Sequence, residues 1–301
     1  MKAIIIAGGS GTRLRPLTYN LPKPIIPFFD KPFLIYQLEY LKKYGINEVI
    51  VNTHYLHTTI KYILKDGSDL GIKIFYSYEE KPMGTAGAVK LAESYFDNEP
   101  LIILNGDVLT DINLSEIISY HNKNKSDITI ALTKVKDPTA FGLVFTNENG
   151  RIEKFLEKPS YDEAIINTVN AGIYIINPEY FKLVPKNEPY SFERGLFPLM
   201  LNLEKNLYGY ISNSYWIDIG TPDKYIQAHH DTLIGKIKLN IPFDKIENNI
   251  FIGKDVDIDE SVNLQGPLFI GNKAKIRKNS FIEEFSVISN NTFIDAKKSN
   301  I

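Results

Sequence analysis

The chain has 301 residues, 44% of them hydrophobic and 23% charged, which supplies enough apolar material for one large or two modest domains with real cores. A net charge of −2 argues against a nucleic-acid binder, and the absence of cysteine excludes disulfides, a thiol nucleophile and zinc–thiolate sites. No apolar run is long enough to span a bilayer, and the N-terminal run is too short for a signal segment. The expectation is therefore a soluble cytoplasmic protein that engages neither membrane nor nucleic acid.

The N-terminal stretch MKAIIIAGGSGTRLRPLTYNLPKP is the richest in chemistry. The apolar run Ala3–Ala7 predicts a buried strand, and it feeds a loop holding Gly8, Gly9 and Gly11, then Thr12, Arg13 and Arg15, with Lys23 between two prolines. Glycines bring backbone N–H groups close to a ligand, and nearby cations supply the charge that a polyphosphate needs. The loop is not a Walker loop, because Gly11 is followed by Thr12-Arg13 rather than Lys-Ser/Thr. Nor is it the dinucleotide fingerprint, since Leu14 stands where the third glycine belongs and Val51-Asn52 where the acidic residue belongs.

Farther along, short β-branched runs alternate with helical spacing. Val49–Asn52, Ile72–Tyr76, Leu101–Leu104 and Ile128–Thr133 read as strands, and Leu34–Tyr44, Thr58–Lys65, Ala86–Phe96 and Leu114–Lys123 as helices. This alternation predicts an α/β fold with a mostly parallel sheet covered on both faces. Gly142–Thr146, Arg151–Glu157, Val169–Ile176 and Leu207–Ser212 predict further strands of a mixed sheet, and Ser191-Phe192-Glu193 opens a helix running through Met200. Of the five histidines, His229 and His230 are neighbours on a helix and point apart, so they form no common metal site.

Composition changes near Gly235. Residues 236–249 read as a linker, and beyond them Ile252, Ile258, Leu264, Ile270, Ile276, Ile282, Ile288 and Ile294 recur every six positions. That period suits neither helix nor alternating strand; it is the signature of hexapeptide repeats stacked into a short parallel β-helix. The expected domains are 1–235 and 236–301. The second has no histidine to act as a base, which argues against acyl transfer.

The pattern GGSGTRLRPLT followed by PKP closely resembles the sugar-1-phosphate nucleotidyltransferases, the nucleotide-sugar pyrophosphorylases; within that family, Glu80 followed by the Gly84-Thr85-Ala86 turn looks more like the mannose-1-phosphate guanylyltransferases. The resemblance covers about Met1 to Leu233 and implies a Rossmann-like mixed sheet of GT-A type, which this family often extends with a left-handed β-helix. It implies transfer of a nucleotidyl group from a nucleoside triphosphate to a sugar-1-phosphate, Mg2+ as cofactor, and a homo-oligomer.

Several site residues follow from the matched motifs. Ala7, Gly8, Gly9, Gly11 and Thr12 would cradle the triphosphate, Arg13 would hold its β- and γ-phosphates, and Lys23 would sit by the transferring phosphate. Asp107, ending Leu101-Ile-Ile-Leu-Asn-Gly-Asp107, and Asp218, in Trp216-Ile-Asp218, would bind the metal; Asp111 is the better candidate for a helix cap or turn. Gly142, Glu157, Lys158 and Asn170 would hold the sugar phosphate, with Trp216 as a core residue beside the site. The turn Glu79-Glu80-Lys81-Pro82-Met83-Gly84-Thr85 would surround the base. A carboxylate pairs with guanine's two adjacent donors, which favours Glu80 with Gly84 and Thr85 as a guanine reader, although which glutamate faces the base is open at this level.

The leading substrates are GTP and mannose-1-phosphate. Alternatives are glucose-1-phosphate with a thymidine or uridine triphosphate and heptose-1-phosphate with GTP. A non-catalytic regulatory subunit that binds nucleotide sugars would have shed charges, yet Arg13, Lys23, Asp107, Lys158 and Asp218 are all present.

Overall fold

The computed structural model describes residues 1–157, 160–239 and 243–295. They gather into two compact units. One holds Met1–Ile25 and Leu34–Asp218; the other holds Ile26–Phe33 and the chain from Ile219 onward. This division follows packing, whereas the boundary expected at 235 follows composition.

In the N-terminal unit four strands run parallel: β1 (Ala3–Ile6), β2 (Glu48–Thr53), β3 (Lys73–Tyr78) and β4 (Leu101–Asn105), in the order β4-β1-β2-β3. Both faces are covered, so these strands read as unbroken apolar runs rather than alternating ones. Ala3, Ile5, Val49, Val51, Ile102 and Leu104 pack on one face with Leu34, Leu38 and Leu41 of helix α1 (Phe33–Lys43). Ile4, Ile50, Leu101 and Ile103 pack on the other with helical Ala86 and Val89. The intervening helices are α2 (His57–Leu64), α3 (Gly84–Leu91) and α4 (Leu114–Lys123).

The second half of the unit makes the sheet mixed. Its strands are β5 (Val108–Thr110), β6 (Ile128–Lys134), β7 (Gly142–Thr146), β8 (Ile152–Glu157), β9 (Thr168–Ile176), β10 (Leu207–Ile211) and β11 (Trp216–Asp218). β9 lies antiparallel between β4 and β6, β10 runs parallel to β6, and β7 pairs antiparallel with β8. β5 and β11 form a separate antiparallel ladder in which Asp218 faces Val108.

Three local departures from the sequence expectation have clear causes. The segment after Ser191 is a π turn, Phe192–Leu196, ahead of α5 (Phe197–Asn202); Pro198 has no N–H to give to the turn before it, so regular α pairing is interrupted there. Helix α4 is capped by Asn113, whose side chain accepts from Ser115 N, and not by Asp111. Within the stretch read as a linker, Asp244–Ile246 is a strand antiparallel to Ile250–Ile252, because Asn248 and Asn249 adopt left-handed backbone (φ 57° and 56°) and reverse the chain.

In the C-terminal unit, helix α6 (Pro222–Leu233) precedes the repeat. Ile252 pairs in parallel with Ile270 and Ile270 with Ile288; Ile258 pairs with Ile276 and Ile276 with Ile294; Leu264 pairs with Ile282. Each partner lies eighteen positions on, an arrangement that matches a short parallel β-helix with the six-residue apolar positions turned inward. Among the described residues no helix is long and apolar enough to cross a membrane.

Candidate functional site

The glycine loop leaves β1 at the carboxyl edge of the sheet and is tied down by Ala7 N donating to Asn52 O at 2.9 Å. Gly11 has φ 62°, and a Cβ there would lie 2.9 Å from Lys23 Cβ and 3.0 Å from Thr18 Cγ2. Only glycine fits both the backbone and the space. Thr18 Oγ1 donates to Gly11 O at 2.7 Å, closing the loop. Gly9, by contrast, has open space around it. Thr12 and Arg13 begin a short 3-10 turn and are exposed on the loop.

Lys23 Nζ meets Asp107 Oδ2 at 2.5 Å. The two side chains are 11% and 27% exposed, sheltered enough that the pair is not dissipated in bulk water. Asp107 follows the end of β4, where Gly106 N donates to Ile6 O at 2.9 Å and a Cβ on Gly106 would meet Ile6 O at 2.6 Å. The turn is clamped from α1: Gln37 Nε2 donates to Asn105 O and to Val108 O, both at 2.9 Å. Because Asp218 is paired with Val108, the next residue along from Asp107, the two aspartates stand on adjoining strand ends. Asp111 accepts from Tyr215 N at 2.9 Å and anchors the β11 strand to this edge.

A cavity of about 220 Å3 opens here, lined by Ile6, Ala7, Gly9, Lys23, Pro24, Thr85, Asn105, Gly106 and Asp107. Of the expected phosphate and metal residues it gathers Ala7, Gly9, Lys23, Thr85 and Asp107. Asn105 joins them without having been singled out from sequence.

The acidic turn separates its two glutamates. Glu79 is buried, its Oε2 accepting from Met83 N at 2.9 Å and its carboxylate packed against Gly8. Burial pushes its carboxyl up from the usual range, against the Met83 hydrogen bond, which holds it down. Glu80 is exposed. Gly84 has φ 72° and docks on the Tyr190 backbone, where a Cβ would meet Tyr190 O at 2.7 Å. That packing, not ligand approach alone, accounts for a glycine at this position.

On the opposite side of β4, strand β9 carries a register shift between Asn170 and Tyr174. Gly172, at φ 71°, makes the irregularity possible, and a Cβ there would strike Asn105 Nδ2 at 2.6 Å. Asn170 and Gly142 line a narrow crevice with Phe155 and Glu193. Trp216 Nε1 donates to Ala171 O at 2.8 Å and its ring meets Phe141 edge-on at 5.5 Å, so it braces β9 next to Asn170. Lys158 lies outside the described residues, as does the side chain of Glu157. Gln37 and Glu193 were not legible as site residues: each acts through bonds to groups far away in the chain.

Comparison with known proteins places this geometry. The nucleotidyl transferase family profile matches residues 2–234. Mannose-1-phosphate guanylyltransferase of Mycobacterium tuberculosis is 37% identical over 234 residues, covering 77% of this chain; the chain spans 65% of that protein's length. UTP–glucose-1-phosphate uridylyltransferase of Synechocystis is 32% identical over 291 residues, which cover 92% of this chain and 75% of that protein. The crystal structure of HddC from Yersinia pseudotuberculosis, complexed with GMP-PN, matches with a TM-score of 0.65 at 28% identity, covering 75% of this chain and 97% of that one. A profile spanning most of the chain, on a sheet edge that carries the glycine loop and both aspartates, shows that this protein belongs to the nucleotidyl transferase family.

Proposed function

We propose that this protein transfers a nucleotidyl group from a nucleoside triphosphate to a sugar-1-phosphate, with GTP and mannose-1-phosphate as its pair. The observation that carries the reading is the Lys23–Asp107 pair in a cleft whose wall is the glycine loop. A cation and a carboxylate held together beside exposed backbone donors suit a reaction between two anions.

In this reaction an oxygen of the sugar-1-phosphate attacks the α-phosphorus, the bond to the β-phosphate oxygen breaks, and pyrophosphate leaves. No covalent nucleophile on the protein is required; the work is positioning and neutralisation of charge. The loop N–H groups and Arg13 bind the β- and γ-phosphates that become pyrophosphate. Lys23 turns from Asp107 toward the phosphate oxygens as they arrive. Asn170 and Gly142 orient the sugar, and the family resemblance gives Glu157 and Lys158 the same substrate.

The donor set at the strand ends fits Mg2+. Two carboxylates, Asp107 and Asp218, with no histidine or cysteine beside them in a larger cluster among the described residues, leave room for phosphate oxygens and water, as a hard octahedral cation prefers. When bound, Mg2+ would lower the negative charge on the phosphate oxygens around the α-phosphorus.

For the base, the acidic turn supports guanine. Glu79 is committed to Met83 N and to the underside of Gly8, whereas Glu80 is exposed, which supports Glu80 over Glu79 as the carboxylate that accepts from guanine N1 and N2. The glucose-1-phosphate and uridine triphosphate pair is the second reading, favoured by the Synechocystis relative, whose likeness extends into the C-terminal repeat.

Pyrophosphate release across a grid of nucleoside triphosphates and sugar-1-phosphates, with Mg2+ and with EDTA, tests both. An EDTA-sensitive maximum at GTP and mannose-1-phosphate supports the first reading, one at UTP and glucose-1-phosphate the second, and a flat grid from folded protein refutes catalysis. Glu80→Gln should reduce the preference for GTP; unchanged selectivity would move base reading to the backbone.

A further inference from the structure

One carboxylate of the N-terminal unit stands apart from the phosphate cleft and is ringed by hydroxyls. Glu193 Oε2 accepts from Ser191 Oγ at 2.7 Å and from Thr85 Oγ1 at 3.2 Å; Oε1 accepts from Tyr174 Oη at 3.3 Å. An ionised carboxylate only accepts. All these hydroxyl protons therefore point at Glu193, and each hydroxyl oxygen is left to accept from its other neighbour. Thr85 Oγ1 accepts from Phe192 N at 2.8 Å, and Tyr174 Oη accepts from Asn170 Nδ2 at 2.9 Å. That sets the Asn170 amide: nitrogen toward Tyr174, oxygen accepting from Gly172 N at 2.9 Å. The direction of the whole network follows from one negative charge.

The network joins two places that matter. Thr85 lines the cleft with Lys23 and Asp107, and Asn170 lines the crevice beside Gly142. Its centre is closely packed. Tyr174 is fully buried, with its ring 5.2 Å from Phe192 and 5.4 Å from Phe197. Glu193 itself sits on the π turn, an irregularity that re-aims a side chain and that recurs at functional sites.

We propose that Glu193 is a positioning residue that holds the nucleotide-side Thr85 and the sugar-side Asn170 in one fixed arrangement, so that affinity for both substrates depends on its charge. The proposal rests on the functional reading above. Glu193 borders the crevice beside Asn170, and it acts on the two sides through two arms, Thr85 toward the nucleotide and Tyr174 toward the sugar phosphate.

The arms make the test specific. Steady-state kinetics of Glu193→Gln, Thr85→Val and Tyr174→Phe are measured against both substrates, with melting temperatures alongside. Glu193→Gln should raise KM for the nucleotide and for the sugar phosphate by about tenfold, the size of losing a charge-assisted hydrogen bond, with kcat changed less. Thr85→Val should raise only the nucleotide KM and Tyr174→Phe only the sugar-phosphate KM, and neither should add further to its own KM in the Glu193→Gln background. A Glu193→Gln protein that melts lower but keeps both KM values within twofold overturns the proposal, as does either arm variant shifting both KM values equally. Should Glu193→Gln fail to fold, the split between the arm variants decides alone. Wild-type protein that turns over no pair refutes the functional reading and this proposal with it; wild-type turnover with unchanged variants refutes this proposal only.

Discussion

The strand ends of the N-terminal unit and the coils of the C-terminal repeat are made of similar short apolar runs, yet they treat polar groups in opposite ways. In the repeat, Asn272 Oδ1 accepts from Lys254 N and Asn290 Oδ1 accepts from Asn272 N, both at 2.7 Å, so each coil satisfies the backbone of its neighbour at a fixed spacing. At the strand ends polar groups come from far apart in sequence: Lys23 to Asp107, Gln37 to Asn105 and Val108, Glu193 to Thr85 and Tyr174. A periodic region settles its polarity with itself and gains a structure. The strand-end region instead gathers its polar groups from several elements, among them a cation and a carboxylate that face one another.

The sharpest way to break the contrast is Asp107→Asn. On the proposed function it should slow nucleotidyl transfer by roughly a hundred- to a thousandfold while the melting temperature moves little, read by pyrophosphate release and thermal melts. An unchanged rate would strip the strand-end carboxylate of its role. In the repeat the effect should fall on stability instead. Ile270 is fully buried, so Ile270→Ala should cost about 2–5 kcal/mol in denaturant unfolding, less only if the coil collapses onto the gap.

Acid should destabilise the C-terminal unit through His229, which lies on α6. Burial pushes its imidazole down to about 4, with His230 as a lesser contributor in the same direction, while its Nδ1 contact with Tyr225 O opposes the shift. The unfolded chain then binds the proton first as pH falls below about 6.5, so stability present near neutrality is lost progressively toward pH 4, by about 3 kcal/mol in all. Urea unfolding at pH 7 and pH 4.5 should show this slope, flattened in His229→Asn; an equally steep slope in the variant would assign it elsewhere. The smallest effects compare two glycines of one loop. Gly11→Ala, at positive φ and against Lys23, should cost roughly 1–2 kcal/mol, whereas Gly9→Ala, in open space, should stay within about 0.5 kcal/mol by the same unfolding measurement.

Much of this was legible from residue order. The parallel strands showed as β-branched runs because both sheet faces are covered, and the repeat showed through its six-residue period because each inward position must be apolar. The glycine loop and the Asp107 turn were legible because their chemistry is concentrated in a few adjacent residues. Elsewhere adjacency misleads. Glu79 and Glu80 look alike in sequence, and only the packing of Gly8 and the position of Met83 N decide that the first is buried. Asp111 looks able to cap α4 in sequence, yet its side chain accepts from Tyr215 N, and the cap is Asn113.

By itself, then, the sequence determined the elements, the repeat and the residues proposed to meet a phosphate, since these depend on local period and on side-chain type. The tertiary structure decided which charges pair, which hydroxyls face Glu193 and which helix clamps the Asp107 turn. Those outcomes depend on distances between residues tens of positions apart, and no local pattern encodes a distance that only the packed sheet creates.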